Sequence, residues 1–291
     1  MQSIAPQTQL KFERIMLATD FSPVAGIAQA YAVGLALHDC SALEIATVVD
    51  LSLTILSGDV IPQFALDELR RCSEEDLQQA AENASGVKVT KKVIEGFQPA
   101  ASIVDEAAHS HADLIVLGTT SKQGLKKFAL GSTAEHVIRT APCPILTIGP
   151  RVPRPSSQPI SFKRIVYATD FSPQATKAAA IALSLAHTNG AQLHLCNVVS
   201  DSDGESNYGY EVKSLSSLQA LMPESSYDWC HPECIVDHRR SSDAILSFAE
   251  RVNADLIVLG ARKTSFWIEY VRTGLTPALL ASATCPVLTV C

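Results

Sequence analysis

Phe12-Glu13-Arg14-Ile15-Met16-Leu17-Ala18-Thr19-Asp20-Phe21-Ser22-Pro23 returns, little altered, as Phe162-Lys163-Arg164-Ile165-Val166-Tyr167-Ala168-Thr169-Asp170-Phe171-Ser172-Pro173. Working outward from that pair, two more segments recur in the same order. Ala112-Asp113-Leu114-Ile115-Val116-Leu117-Gly118 is repeated without change as Ala254 to Gly260. Ala141-Pro142-Cys143-Pro144-Ile145-Leu146-Thr147-Ile148 returns as Ala283-Thr284-Cys285-Pro286-Val287-Leu288-Thr289-Val290. Self-similarity at a fixed order marks duplication of one structural unit. The chain therefore reads as two copies of one domain, 1–150 and 161–291, joined by residues 151–160. Pro150, Pro153, Pro155 and Pro159 disfavour helix and sheet there, which predicts an extended, semi-rigid linker.

Within the first copy, short β-branched runs alternate with helical patterns. Strands are expected at Arg14–Thr19, Leu43–Val49, Val87–Ile94, Leu114–Leu117 and Ile145–Ile148. Helices are expected at Pro23–His38, Pro62–Asn83, Pro99–His109 and Ser132–Thr140. Continuous apolar strands separated by helices predict a parallel sheet covered on both faces. The class is α/β, with two doubly wound, Rossmann-like domains in tandem.

Composition narrows the function. The 291 residues carry a formal net charge of −7, against a broad nucleic-acid footprint or docking on an anionic membrane. The longest apolar run, Ala178 to Leu183, stops at Ser184, far short of the roughly 18 residues of a membrane span. Met1 to Lys11 lacks the pattern of a secretory signal. Eight cysteines in a chain of this length, several in strand-like runs, read as reduced thiols of a cytoplasmic protein.

In such a sheet, ligands bind beyond the carboxyl ends of the strands. Three loops of the first copy arrive there: Thr19–Pro23, Gly118–Gly124 and Leu130–Thr133. Gly131 permits close backbone approach or positive φ. Ser132 and Thr133 then open a helix whose free N–H groups suit an anion. The alternative is a capping box, Ser132 with Glu135, that merely closes the first turn. Lys122, Lys126 and Lys127 add positive charge nearby, or are simply solvated. Asp20 is open to two uses: accepting hydrogen bonds from a base or ribose, or bracing the turn in which Ser22 caps a helix and Pro23 sits at N1. The identical Asp170 favours the turn for part of the reason.

With those residues in place, the chain resembles a tandem universal stress protein over essentially all of both copies. The family's nucleotide-binding members carry Gly, two residues, Gly, nine residues and Gly-Ser/Thr after the fourth strand. Here Gly118, Thr119-Thr120, Ser121, nine residues to Leu130 and then Gly131-Ser132 reproduce that spacing, with Ser121 where the family usually has Gly. The resemblance implies ATP with magnesium as ligand. It implies that Asp20 and Val48 contact the base. Leu117, Gly118 and Thr120 would line the ribose and phosphates, Ser121 would donate to a phosphate, and Gly131, Ser132 and Thr133 would hold the phosphates. It further implies a stress-response or signalling role, an unidentified protein partner, and pairing of the last strands Ile145–Ile148 and Val287–Val290 in an intramolecular pseudo-dimer, with homo-oligomers possible.

The second copy lacks the cradle. Aligning Pro286 with Pro144 puts Lys263 on Ser121, Thr273 on Gly131, Gly274 on Ser132, Leu275 on Thr133 and Pro277 on Glu135. Bulky Phe266, Trp267 and Tyr270 enter the same loops. The expectation is one nucleotide site per chain, in the first copy. Cys230, Cys234 and His238 are weak metal candidates, because Cys234 to Asp237 reads as a strand with alternating faces. His109 and His111 are expected to cap the negative end of a helix. Neither a Walker A sequence nor a readable triad or carboxylate pair is present, so no catalytic base is assigned. Two other functions stay open: a nucleotide-independent scaffold, favoured by Ser121 and the degenerate second copy, and a slow ATP hydrolase or autophosphorylating protein.

Overall fold

The computed structural model describes residues 10–52, 62–119, 130–200, 208–237, 241–260 and 275–290. Thr120, Ser121, the three lysines 122, 126 and 127, His238 and the second-copy loop 261–274 lie outside the described residues. The chain divides into two compact units, one built on Phe12–Ile160 and the other on the residues from Ser161 onward.

The first unit runs β1 (Arg14–Ala18), α1 (Pro23–Asp39), β2 (Ala42–Asp50), α2 (Gln63–Glu82), β3 (Lys88–Gly96), α3 (Pro99–His109), β4 (Leu114–Gly118), α4 (Ser132–Thr140) and β5 (Ile145–Ile148). Its strands lie in the order β3-β2-β1-β4-β5, and every pairing is parallel. The order reverses at β1, which pairs with β2 on one side and β4 on the other, so the crevice opens between those strand ends. The second unit repeats this with β6 (Arg164–Ala168), α5 (Pro173–Asn189), β7 (Gln192–Ser200), α6 (Tyr208–Ala220), β8 (Cys230–Asp237), α7 (Ser241–Arg251), β9 (Leu256–Gly260), α8 (Leu275–Ser282) and β10 (Val287–Val290). Its parallel order is β8-β7-β6-β9-β10.

The repeated sequence segments each have a local structural cause. Ile15, Met16, Leu17, Leu114, Ile115 and Val116 are buried, as central strands covered by helices require. Asp113 caps the start of β1: Glu13 N–H donates to Asp113 Oδ2 at 2.7 Å and Arg14 N–H to Oδ1 at 3.2 Å. Asp255 does the same for Lys163 and Arg164, at 2.7 and 3.0 Å. Burial nevertheless pushes both carboxyls above the ordinary aspartate value. Ser22 and Ser172 are the N-caps of α1 and α5, accepting from Ala25 and Ala175 N–H, with proline in the first turn of each.

The proline-rich segment before Ser161 does not run free. It lies along α1, whose carbonyls at Gly26, Ala30 and Gly34 recur every four residues on one face. Arg154 Nη2 donates to Gly26 O at 3.3 Å, Gln158 Nε2 to Ala30 O at 3.2 Å and Ile160 N–H to Gly34 O at 3.0 Å. Tyr31 Oη donates to Pro153 O at 3.3 Å. Val152 and Ile160 are buried, so this strap adds apolar contact as well as hydrogen bonds.

Candidate functional site

The carboxyl ends of β1, β2 and β4 and the start of α4 enclose a cavity of about 300 Å³. Asp20, Val48, Leu117, Gly118, Gly131, Ser132 and Thr133 all line it, so one space gathers seven of the residues named from sequence. The remaining two, Thr120 and Ser121, fall outside the described residues. Thr19, Ala46, Thr47, Ile103 and Thr119 also line it; Thr19 and Thr119 belong to the loops expected to reach the site without being assigned as contacts, and Ala46, Thr47 and Ile103 were not singled out from sequence. Thr19 and Thr119 directly adjoin the named Asp20 and Gly118. Ile103 needed knowledge of which helix roofs the crevice.

The turn after β1 is held tightly. Thr19 Oγ1 accepts from Phe21 N–H at 3.0 Å, and Asp20 Oδ1 accepts from Ser22 N–H at 3.0 Å. Phe21 is thereby fixed at φ 57°, in the left-handed region that a bulky residue adopts only when its surroundings insist. Asp170 and Phe171 duplicate this turn, with a 2.9 Å bond to Ser172 N–H and φ 58°. Asp20 therefore braces a turn through one oxygen while its exposed carboxylate also faces the cavity.

Gly118 is set by packing. A Cβ there would stand 3.2 Å from Ala25 N and 3.3 Å from Val24 C, both backbone atoms of the first turn of α1. The absent side chain lets β4 and α1 meet at the cavity floor. Thr119, buried, then ties three elements together. Its N–H donates to Ile148 O at 3.0 Å, its hydroxyl lies 3.3 Å from the same carbonyl, and its own carbonyl accepts Gly131 N–H at 2.9 Å.

The start of α4 departs from the capping-box alternative. Gly131 is the N-cap, with φ −64° and ψ 142°, and Ser132 is the first helical residue. Glu135 N–H donates to Gly131 O at 2.9 Å, and no side chain caps the helix among the described residues. The Glu135 carboxylate instead lies 3.9 Å from Arg139. Ser132 cannot cap because backbone bonding starts one residue earlier. Gly131 needs no positive φ, and a Cβ there would only touch Thr119 O at 3.4 Å, an ordinary contact, so a larger branched side chain is what this position would resist. The consequence is chemical: an uncapped helix start, with its positive dipole end and two hydroxyls, opens into the cavity.

The second unit spends the matching positions on itself. Asn197 stands where Thr47 lines the cavity; its Nδ2 donates to Thr169 O at 2.7 Å and its Oδ1 accepts from Ser214 at 3.0 Å. Tyr167, where the first unit has Leu17, donates to Ala175 O at 2.6 Å. Helix α8 starts at Leu275, without a Ser-Thr pair in its first turn. Of the metal candidates, Cys230 is buried and its thiol is pushed up to about 11 by desolvation. Among the described residues, no three His, Cys, Asp or Glu side chains converge as a metal site would require. Among the same residues, no helix is long and apolar enough to cross a membrane.

Comparison with known proteins agrees with this architecture. The model of the universal stress protein family matches residues 11–149 and again 161–290. A universal stress protein of Methanocaldococcus jannaschii is 34% identical over 151 residues, 51% of this chain and 88% of its own. A putative universal stress protein of Staphylococcus aureus is 33% identical over 143 residues, 48% of this chain and 85% of its own. The crystal structure of a universal stress protein from Archaeoglobus fulgidus covers 96% of both chains with a TM-score of 0.69 at 20% identity, a likeness of fold. Both halves of the chain are matched by one and the same family model, and the chain belongs to the universal stress protein family, as two of its domains in tandem.

Proposed function

We propose that the first unit binds ATP as its magnesium complex, and that the protein works as a cytoplasmic nucleotide-responsive member of a stress-response family. The observation that carries this reading is the uncapped start of α4, opening with Gly131, Ser132 and Thr133 into the same cavity as Asp20, Val48 and Gly118. The phosphates meet backbone N–H groups and hydroxyls at that helix start. The base lies toward Asp20 and Val48, under the apolar side of Ile103. Magnesium is held chiefly by phosphate oxygens and water, which a site with few carboxylates accommodates. The role proposed is binding, and no hydrolytic step is assigned to these residues.

The second unit is proposed as a non-binding partner domain, because Asn197 commits to internal hydrogen bonds the position at which Thr47 lines the first unit's cavity, and α8 starts without a Ser-Thr pair. Thermal unfolding of the full chain with and without ATP and magnesium tests the reading. Ligand at about 100 times its Kd stabilises the unit that binds it by about 2.7 kcal/mol. Unchanged unfolding at millimolar ATP contradicts nucleotide binding and leaves the scaffold function.

A further inference from the structure

The two units carry the same strand-to-helix polar joint with its charges exchanged. In the first unit, Glu44 of β2 faces Glu106 and His109 of α3 and Lys92 of β3. Lys92 Nζ pairs with Glu106 Oε1 at 3.2 Å. In the second unit His194 of β7 takes the place of Glu44. Glu233 of β8 stands where Lys92 stood, and Arg251 of α7 stands where His109 stood. The ion pair from third strand to helix survives, now as Glu233 with Arg251.

His194 has an unusual setting for a titratable group. Its register partner on β8 is His231, and the two rings lie 5.2 Å apart at 35°. Phe248 of α7 meets the His194 ring edge-on at 6.2 Å, and the Arg251 guanidinium lies 5.0 Å over the Phe248 ring. His194 Nε2 is buried and has no hydrogen-bond partner among the described residues. The charged and titratable groups facing it are Arg164 of β6, His231 and Glu233 of β8, and Arg251 of α7. Glu233 already neutralises Arg251. A proton on His194 therefore puts a cation in a half-buried space beside a second imidazole and two arginines, with one shared carboxylate to answer it.

We propose that His194, packed against His231, makes the second unit acid-sensitive: as pH falls His194 takes up a proton, and α7 loosens from β7 and β8 while the first unit keeps its packing. The direction follows from linkage. Burial, and next His231, hold His194 below the ordinary histidine value. The unfolded chain then takes up the proton first, near pH ~6.5, and stability drains away as pH falls toward the lower folded value. Glu44 runs the other way. Burial and Glu106 raise its folded value, so acidification removes a cost there instead of adding one. This inference is independent of nucleotide binding and assigns the second unit a sensing task of its own.

Hydrogen exchange on the full chain, at about pH 7.5 and about pH 5.5 and corrected for intrinsic rates, tests it. Amides of 230–237 and 241–251 are expected to become several-fold more exposed at the lower pH, with a ceiling of about tenfold because pH ~5.5 lies about one unit below the unfolded histidine value. Amides of 88–96 and 99–109 are expected to hold. His194→Gln removes the pH response in the second unit. Equal protection of α7 at both pH values overturns the proposal, as does an undiminished response in His194→Gln. Should that variant fold poorly, imidazole titration by NMR on the unaltered chain decides. A His194 midpoint below that of free histidine supports the sensor, and one at or above it overturns the sensor.

Discussion

Gly34 and Ile160 share one small space: a Cβ on Gly34 would lie 2.5 Å from both Cδ1 and Cγ1 of Ile160. The strap before Ser161 seats on α1 because a glycine leaves that space open. Gly34→Ala is expected to cost about 1–3 kcal/mol by overpacking, read as a fall in the urea midpoint of the first unit. Ile160→Ala alone costs stability by lost burial. The double variant is expected to lose less than the sum of the two, a coupling of roughly 0.5–3 kcal/mol for residues in contact. Strict additivity contradicts the seating.

Cys40 closes α1 in the left-handed conformation, at φ 60°, where α5 closes with Gly190 at φ 58°. A non-glycine residue pays roughly 1–2 kcal/mol for that conformation, partly offset by the entropy that glycine loses on folding. Cys40→Gly is therefore expected to raise stability by a few tenths to about 1 kcal/mol in chemical denaturation, while Gly190→Cys lowers it. A stability loss in Cys40→Gly contradicts this account of the cap.

The two roles of Asp20 separate by substitution. Asn keeps an oxygen for the Ser22 N–H and removes the charge; Ala removes both. Asp20→Asn is expected to fold with near-native stability, whereas Asp20→Ala and Asp170→Ala each lose about 0.5–1.5 kcal/mol with the turn bond. Nucleotide affinity is expected to fall in both Asp20 variants and to stay unchanged in Asp170→Ala. Isothermal titration of the three proteins distinguishes the roles.

Glu44 gives a pH test in the first unit. Its Oε1 is buried, and burial together with the Glu106 charge raises its folded value against the opposing pull of Lys92 and the Ser110 hydroxyl. The ionised side chain costs stability above that value, and the cost vanishes as pH falls through it. Glu44→Gln is thus expected to stabilise the first unit near pH ~8 and to lose that advantage near pH ~4, where the native carboxyl is already neutral. A pH-independent difference in unfolding midpoint contradicts the assignment.

Much of this was legible in the sequence because its cues were local. The repeated Ser-Pro after each first strand is a helix start wherever it occurs, and Ala112–Gly118 is both a strand and, through Asp113, a cap on β1. Helices at Pro99–His109 and Ser132–Thr140 and the strand at Ile145–Ile148 have the expected bounds. The cavity followed from the strand order, since parallel sheets open where that order reverses. The strap was not legible, because its fit depends on carbonyls of α1 more than a hundred residues away. The capping box failed at Ser132 because a sequence pattern does not reveal which carbonyl accepts the first helical bond. Asn197 was missed because its meaning depends on Ser214 and Thr169, which only the folded chain brings beside it.

The central claim is one nucleotide site, in the first unit, built on the meeting of Gly131 with Thr119. Calorimetric titration of the full chain with ATP and magnesium, beside Gly131→Val, tests it most directly. The account predicts close to one equivalent bound by the native chain. It predicts a loss of at least about tenfold in affinity when valine branches press on Thr119 O, 3.4 Å from the Cβ position. Two equivalents, or undiminished binding by Gly131→Val, would contradict the site as drawn, and no binding by either protein would contradict nucleotide recognition altogether.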